Sequence, residues 1–150
     1  MKAKLFQNKV VVKKSNLHGY GVFAEKNIKK GEKIEECYFI LTKGGDKVLD
    51  DFYFNAKGKD AVFLGFGSIY NHSTDPNADY TINLKKRLAT IKASTSIPKG
   101  KEIFISYGDE WFSSRGLKPK SLDIKSSHHK KPSKIKKVSK KSVRRRKRKK

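Results

Sequence analysis

Tyr107 closes an apolar run, Ile103-Phe104-Ile105-Ser106-Tyr107-Gly108-Asp109, in which strand-like alternation gives way to a glycine turn. That order sets a phenol at the rim of a sheet, as a buried structural tyrosine or as a group that meets a ligand. A second segment, Gly65-Phe66-Gly67-Ser68-Ile69-Tyr70-Asn71-His72-Ser73-Thr74-Asp75-Pro76-Asn77, passes from apolar to densely polar. Its Asn, Ser and Asp residues suit a capped loop, and the Asn amide also offers a donor and an acceptor to a ligand. His72 stands without a Ser or Cys nucleophile motif, so a hydrolytic triad is not indicated. A third segment, His18-Gly19-Tyr20-Gly21-Val22-Phe23, puts glycines on both sides of an aromatic, which lets backbone approach a ligand closely. With no third glycine and no helix following, it is not a dinucleotide fingerprint. Trp111-Phe112 ends the apolar part of the chain, as a seal on the core or as a lid over a flat ring. No metal site is expected. Cys37 is the only cysteine, and His128-His129 is an adjacent pair within a polar run.

Taken together and in this order, these segments resemble the SET-domain family of protein-lysine methyltransferases. That family carries a G-x-G segment, then an Asn-His-Ser-x-x-Pro-Asn loop, then a strand ending in Tyr-Gly. The likeness runs from about Lys9 to Phe112, and it is closest to the minimal virus-encoded members, which lack cysteine-rich flanks. The resemblance implies a mostly β, β-clip-like SET-domain fold and S-adenosyl-L-methionine as cofactor. It implies cofactor contacts from Gly19, Tyr20, Gly21, Asn71, His72 and Tyr107, with Phe112 or Trp111 stacked on the adenine. It also implies Tyr107 as the catalytic tyrosine, whose hydroxyl orients the amine, and a second, mid-domain aromatic for which Phe52 and Tyr53 compete. Of those two only Tyr53 donates a hydrogen bond, so Tyr53 is placed with Tyr107 among the catalytic residues and Phe52 with Ile105 in the substrate channel. An aliphatic Ile105 two residues before Tyr107 favours addition of more than one methyl. Thr74 stands where the family has Cys, so no zinc cluster follows. The lid then falls to Trp111-Phe112 or to a second subunit, and the minimal members imply a homodimer acting on histone H3.

The elements that must position these residues read as short strands. Val10-Val11-Val12 is a β-branched run, Ile103, Ile105 and Tyr107 share a period of two, and Thr90 to Thr95 reads as another strand. Leu49, Phe52 and Tyr53, at i, i+3 and i+4, predict a short helix over Leu49 to Ala56. Two frames, Ile28-Lys29-Lys30-Gly31-Glu32-Lys33-Ile34 and Ile97-Pro98-Lys99-Gly100-Lys101-Glu102-Ile103, use the same glycine turn before a strand-like run. The expectation is a mostly β fold with little helix, in one domain over residues 1–116.

Residues 117–150 are different in kind. They hold thirteen Lys, four Arg and a single Asp, a net +16 of the chain's +23. Their few apolar residues cannot offset an ordering entropy of about 1–2 kcal/mol per residue, so the segment is expected to be a disordered basic tail. Its block Arg144-Arg145-Arg146-Lys147-Arg148-Lys149-Lys150 suits DNA phosphates, a nuclear-import receptor, or both. A nucleosomal substrate and a nuclear location follow as expectations (a host nucleus, were the chain virus-encoded). The N-terminus lacks a secretory pattern and no stretch approaches the ~18 apolar residues of a membrane span. Duplex binding through residues 117–150 should weaken with salt, contributing about −0.9 to the log–log slope per phosphate neutralised. Titration of a labelled duplex over a salt series checks this, and a flat response would contradict it.

Overall fold

The computed structural model describes residues 5–120. The expected tail therefore lies, from residue 121 onward, outside the described residues. Strands β1 (Val10–Lys14), β2 (Tyr20–Ala24), β6 (Asn71–His72) and β9 (Glu102–Ile105) form one sheet in the order β1-β2-β9-β6. Strands β3 (Lys33–Thr42), β4 (Tyr53–Asn55), β5 (Asp60–Phe63), β7 (Ala78–Asn83) and β8 (Leu88–Ala93) form the other, in the order β4-β5-β3-β8-β7. One short helix, α1 (Asp109–Ser113), follows β9. The mostly β architecture is as expected, and no helix among the described residues is long and apolar enough to cross a membrane.

The β-branched run forms β1, which pairs antiparallel with β2 from Val10 opposite Ala24 to Lys14 opposite Tyr20. β3 is the spine of the second sheet. Cys37 and Phe39 face the core while Tyr38 and Ile40 face outward, the period of two that a half-buried strand requires. A register shift between Lys33 and Glu35 breaks that period, which is why neighbours Ile34 and Glu35 are both buried. The two like glycine turns face each other. Ile28 and Ile97 exchange backbone bonds of 2.9 and 2.8 Å, and the turns launch β3 and β9 in turn.

Three boundaries differ from expectation. The helix predicted over Leu49 to Ala56 is a 3₁₀ turn at Asp50–Phe52 followed by strand β4. Tertiary pairing overrides the local spacing, because β4 pairs with β5 and Phe54 stacks on Phe63 at 3.9 Å. The hairpin between them turns at Lys57 and Gly58, both at positive φ, the primed geometry that matches strand twist. The eighth strand runs from Leu88 to Ala93 rather than over Thr90 to Thr95. β9 stops at Ile105, short of Tyr107.

The core gathers Ile34, Phe39, Phe63, Ile91, Ile103 and Ile105, each contributing roughly 1.5–3 kcal/mol by burial. Glu35 lies among them and is satisfied there. One carboxylate oxygen accepts from the Phe66 N–H at 3.0 Å and the other from the Tyr70 hydroxyl at 2.9 Å. Burial and the neighbouring Glu35 carboxylate push the Tyr70 phenol up, so it remains a donor. Tyr70→Phe removes that donor while keeping the ring. It should lower stability by about 1–3 kcal/mol, read as a reduced urea midpoint, and an unchanged midpoint would show that Glu35 does not depend on it.

Candidate active site

The site is built at the junction of β2, β6 and β9. The pairing of β6 with β9 is parallel and only two residues long, Asn71 opposite Phe104 and His72 opposite Ile105. It brings the polar loop beside the segment that ends in Tyr107. The Asn71 amide nitrogen then reaches three acceptors, the Glu102 carboxylate at 2.8 Å and the Tyr20 and His18 carbonyls at 3.0 and 3.2 Å. An amide has two N–H bonds, so one is shared between two acceptors. The other Glu102 carboxylate oxygen accepts from the Ser15 hydroxyl at 3.0 Å. These contacts explain Gly21, since a Cβ there would meet the Glu102 carboxylate at 2.0 Å. Gly21 therefore lets the glycine segment sit against Glu102 and Asn71. Gly19 and Tyr20 border the open cleft instead.

Three spaces that share lining residues lie at and near this junction. A cleft of about 580 Å³ is bordered by His18, Gly19, Tyr20, Asn71 and Tyr107. A cavity of about 180 Å³, sharing His18 and Asn71 with it, is bordered by His72, Trp111, Phe112 and Leu117. A narrow channel of about 60 Å³ is lined by Phe52, Tyr53, Phe54, Tyr80, Tyr107 and Trp111. Tyr107 borders both the cleft and the channel. Of the expected residues, Gly19, Tyr20, Asn71, His72, Tyr107, Trp111 and Phe112 line the first two spaces, and Tyr53 and Phe52 line the channel with Tyr107.

Ile105 is set apart from them. It is fully buried in the core, and is absent from the lining of all three spaces. The alternation that would put it on the face of Tyr107 no longer applies, because the strand ends at Ile105. Tyr80 of β7 takes a place in the channel that sequence reasoning missed, packed edge-on against Phe54 and Phe63 at 5.4 and 5.6 Å. Its alternation on β7 marks it as inward-facing, but nothing local says toward which space. Glu102 and Asp51 were also missed. A charged residue opening a strand and one in a polar turn carry no signal of their own.

Tyr107 is held at both ends. Its N–H donates to His72 Nδ1 at 3.1 Å and its hydroxyl donates to the Tyr70 carbonyl at 2.6 Å. With its proton committed, the phenol oxygen presents only acceptor capacity to a further partner. Burial, with the Asp51 and Glu102 carboxylates, pushes its pKa up to about 12, so it stays a phenol at neutral pH. His72 accepts at Nδ1, which leaves the proton of the neutral ring on Nε2. That atom is buried and has no partner among the described residues. Its ring lies 4.5 Å from Phe112 in the wall of the smaller cavity, beside Trp111.

Burial holds the His72 imidazole below its ordinary value, against the opposing pull of the Asp109 carboxylate. The unfolded chain takes up this proton near pH 6.5, while the folded chain resists it until lower pH. Folding stability is thus favoured above about pH 6.5 and falls as pH drops toward the lowered value. His72→Gln should flatten this part of the profile. Urea denaturation from about pH 5 to 8 measures it, and parallel wild-type and variant slopes would contradict the assignment.

The SET domain profile matches residues 19–108. The chain is 36% identical to a Plasmodium falciparum protein described as a candidate histone methyltransferase, with a TM-score of 0.63 over 71% of this chain and 98% of that one. A Schizosaccharomyces pombe histone-lysine N-methyltransferase specific for H3 lysine-37 is 26% identical over 121 residues, 75% of this chain and 82% of its own. The Chaetomium thermophilum polycomb repressive complex 2, autoinhibited and bound to S-adenosylmethionine, is 26% identical with a TM-score of 0.56. That likeness covers 69% of this chain and 16% of the larger one.

Proposed function

The chain belongs to the SET-domain family, and on that premise we propose that it is a protein-lysine methyltransferase that uses S-adenosyl-L-methionine and acts on a histone, with H3 the first candidate. The observation that carries this reading is the position of Tyr107, which borders a cofactor-sized cleft on one side and a narrow aromatic channel on the other. When bound, S-adenosyl-L-methionine supplies a sulfonium methyl, an electrophile that an uncharged amine attacks without a metal.

The residues present suit that cofactor. His72 lines a cavity with Phe112 and Trp111, and its buried Nε2–H has no partner among the described residues, which suits a flat heterocycle with acceptor atoms. Gly19, Tyr20 and Asn71 border the adjoining cleft, where backbone and amide groups would take the amino-acid end. Trp111 and Phe112 supply this wall from the chain itself, so they serve as the lid.

The channel suits a lysine side chain. Phe52, Tyr53, Tyr80 and Trp111 give it an aromatic wall that accepts an alkyl stem and shields the amine from water. A free lysine has a pKa of about 10.4, and enclosure away from water lowers it. Tyr107 does not serve as the base, because at neutral pH it is a protonated phenol whose proton is donated to the Tyr70 carbonyl. Its role is to orient. The oxygen accepts an amine N–H and turns the nitrogen lone pair toward the cleft, with Tyr53 a second phenol on the channel wall. Alignment of this kind supplies about 7–11 kcal/mol of barrier lowering.

The histone preference draws on the H3 specificity of the S. pombe relative. The basic residues from 117 to 150 would add DNA contact and nuclear import, raising the local concentration of the domain at chromatin. Association as a homodimer accompanies this reading, on the likeness to the minimal members.

Transfer of labelled methyl from S-adenosyl-L-methionine to nucleosomes, core histones and a cell extract tests the reading. Wild type should label histone H3, and Tyr107→Phe should lose about 10²-fold in kcat with little change in substrate binding. Label confined to an extract protein would replace the histone with another substrate. Cofactor binding without transfer to any protein would leave a chromatin-binding SET fold. Mass spectrometry of the labelled histone identifies the lysine and the number of methyls.

A further inference from the structure

Arg115 lies just past α1 and is drawn inward, its side chain 17% exposed. The end of α1 places it there, with the Gly116 N–H donating to the Ser113 carbonyl at 3.1 Å and the Leu117 N–H to the Phe112 carbonyl at 2.9 Å. A guanidinium has five N–H donors, and here each has an acceptor. Nε donates to Asp51 Oδ1 at 3.1 Å, and Nη1 to the Trp111 carbonyl at 2.9 Å and Ser114 Oγ at 3.2 Å. Nη2 donates to the Asp50 carboxylate at 2.8 Å and to the Asp50 carbonyl at 2.5 Å. The guanidinium carbon also lies 4.3 Å from the centre of the Trp111 ring.

The two segments it joins are remote in sequence, share the channel, and each border one further space. Trp111 borders the smaller cavity and the channel, whereas Asp51 borders the channel and the large cleft. Beyond α1, Leu117, Lys118 and Lys120 continue the wall of the smaller cavity. The Asp50 and Asp51 side chains are 57% and 69% exposed, so their charge attraction is partly screened. Two backbone carbonyls and the stacked indole add geometry that screening does not remove. Lysine has three donors on one nitrogen and no plane, so it cannot reproduce this set.

We propose that Arg115 is a positioning residue of the transfer site. It latches α1 to the Asp50–Phe52 turn, and so sets the channel width and holds Trp111 and Phe112 over the cofactor cavity. This rests on the methyltransferase reading of that site.

Trp111 is the only tryptophan in the chain, so its emission reports on the latch directly. Full-length Arg115→Gln and Arg115→Lys are compared with wild type in three measurements: S-adenosyl-L-methionine affinity, steady-state kinetics on histone substrate, and acrylamide quenching of Trp111. Arg115→Gln should weaken cofactor binding about tenfold and raise KM, with kcat at saturation within about threefold of wild type. Its Trp111 should be red-shifted and more readily quenched, with Arg115→Lys intermediate in both. Should Arg115→Gln fail to fold by circular dichroism, the comparison rests on Arg115→Lys, for which the same directions are required. A folded variant with wild-type affinity and wild-type quenching would overturn the latch while leaving the methyltransferase intact. A wild-type protein that binds no S-adenosyl-L-methionine would overturn the methyltransferase reading, and the positioning role with it.

Discussion

The amide of Asn71 ties together three parts of the chain that are far apart in sequence. Its nitrogen reaches the carbonyls of His18 and Tyr20 and the carboxylate of Glu102. Glu102 in turn accepts from Ser15, and its carbonyl accepts from the Asn77 amide at 2.9 Å. Asn77 closes the arrangement by accepting the Phe104 N–H at 2.8 Å. The glycine segment, the polar loop and the last strand are therefore fixed relative to one another by side-chain bonds as well as by the sheet. A buried amide and a partly buried carboxylate are costly unless satisfied, and satisfied they specify one arrangement. The His18, Gly19, Tyr20 and Asn71 border of the cleft is set by that junction.

The same junction decides the protonation states. Tyr107 is bonded at its backbone to His72 and at its hydroxyl to Tyr70, so both rings are held without freedom to trade roles. Burial keeps the phenol protonated and the imidazole neutral. The site thus offers oriented dipoles and acceptors, and the lone pair of the neutral imidazole is already engaged by the Tyr107 N–H. Such a design suits a reaction whose main demand is alignment.

Much of this was legible in the sequence, because the recognisable segments are those whose chemistry is local. Gly19, Asn71, His72 and Tyr107 stand in short runs, and those runs line two neighbouring spaces in the structure. The residues that escaped notice act across the chain. Glu102, Tyr80 and Arg115 look like ordinary strand or surface residues until β9, β7 and α1 are packed against their partners. The 103–107 and 49–56 segments show the converse, where a correct local period is cut short by tertiary structure. β9 ends two residues before Tyr107, and β5 recruits Tyr53 and Phe54 into a strand. The paired turns at Gly31 and Gly100 were visible as like frames, yet only the Ile28–Ile97 contact shows why the frame occurs twice.

The pairing of β2 with β9 has a consequence for how the protein comes into being. Val22 lies opposite Ile103, so the sheet that carries the cleft joins residues from opposite ends of the domain. Closing so long a loop must precede any gain from the contacts it allows, which makes such a topology slow to fold. On the ribosome, β3, β5, β7 and β8 can pair while the rest is still being made. The catalytic pocket cannot begin to take shape until the final strand has emerged.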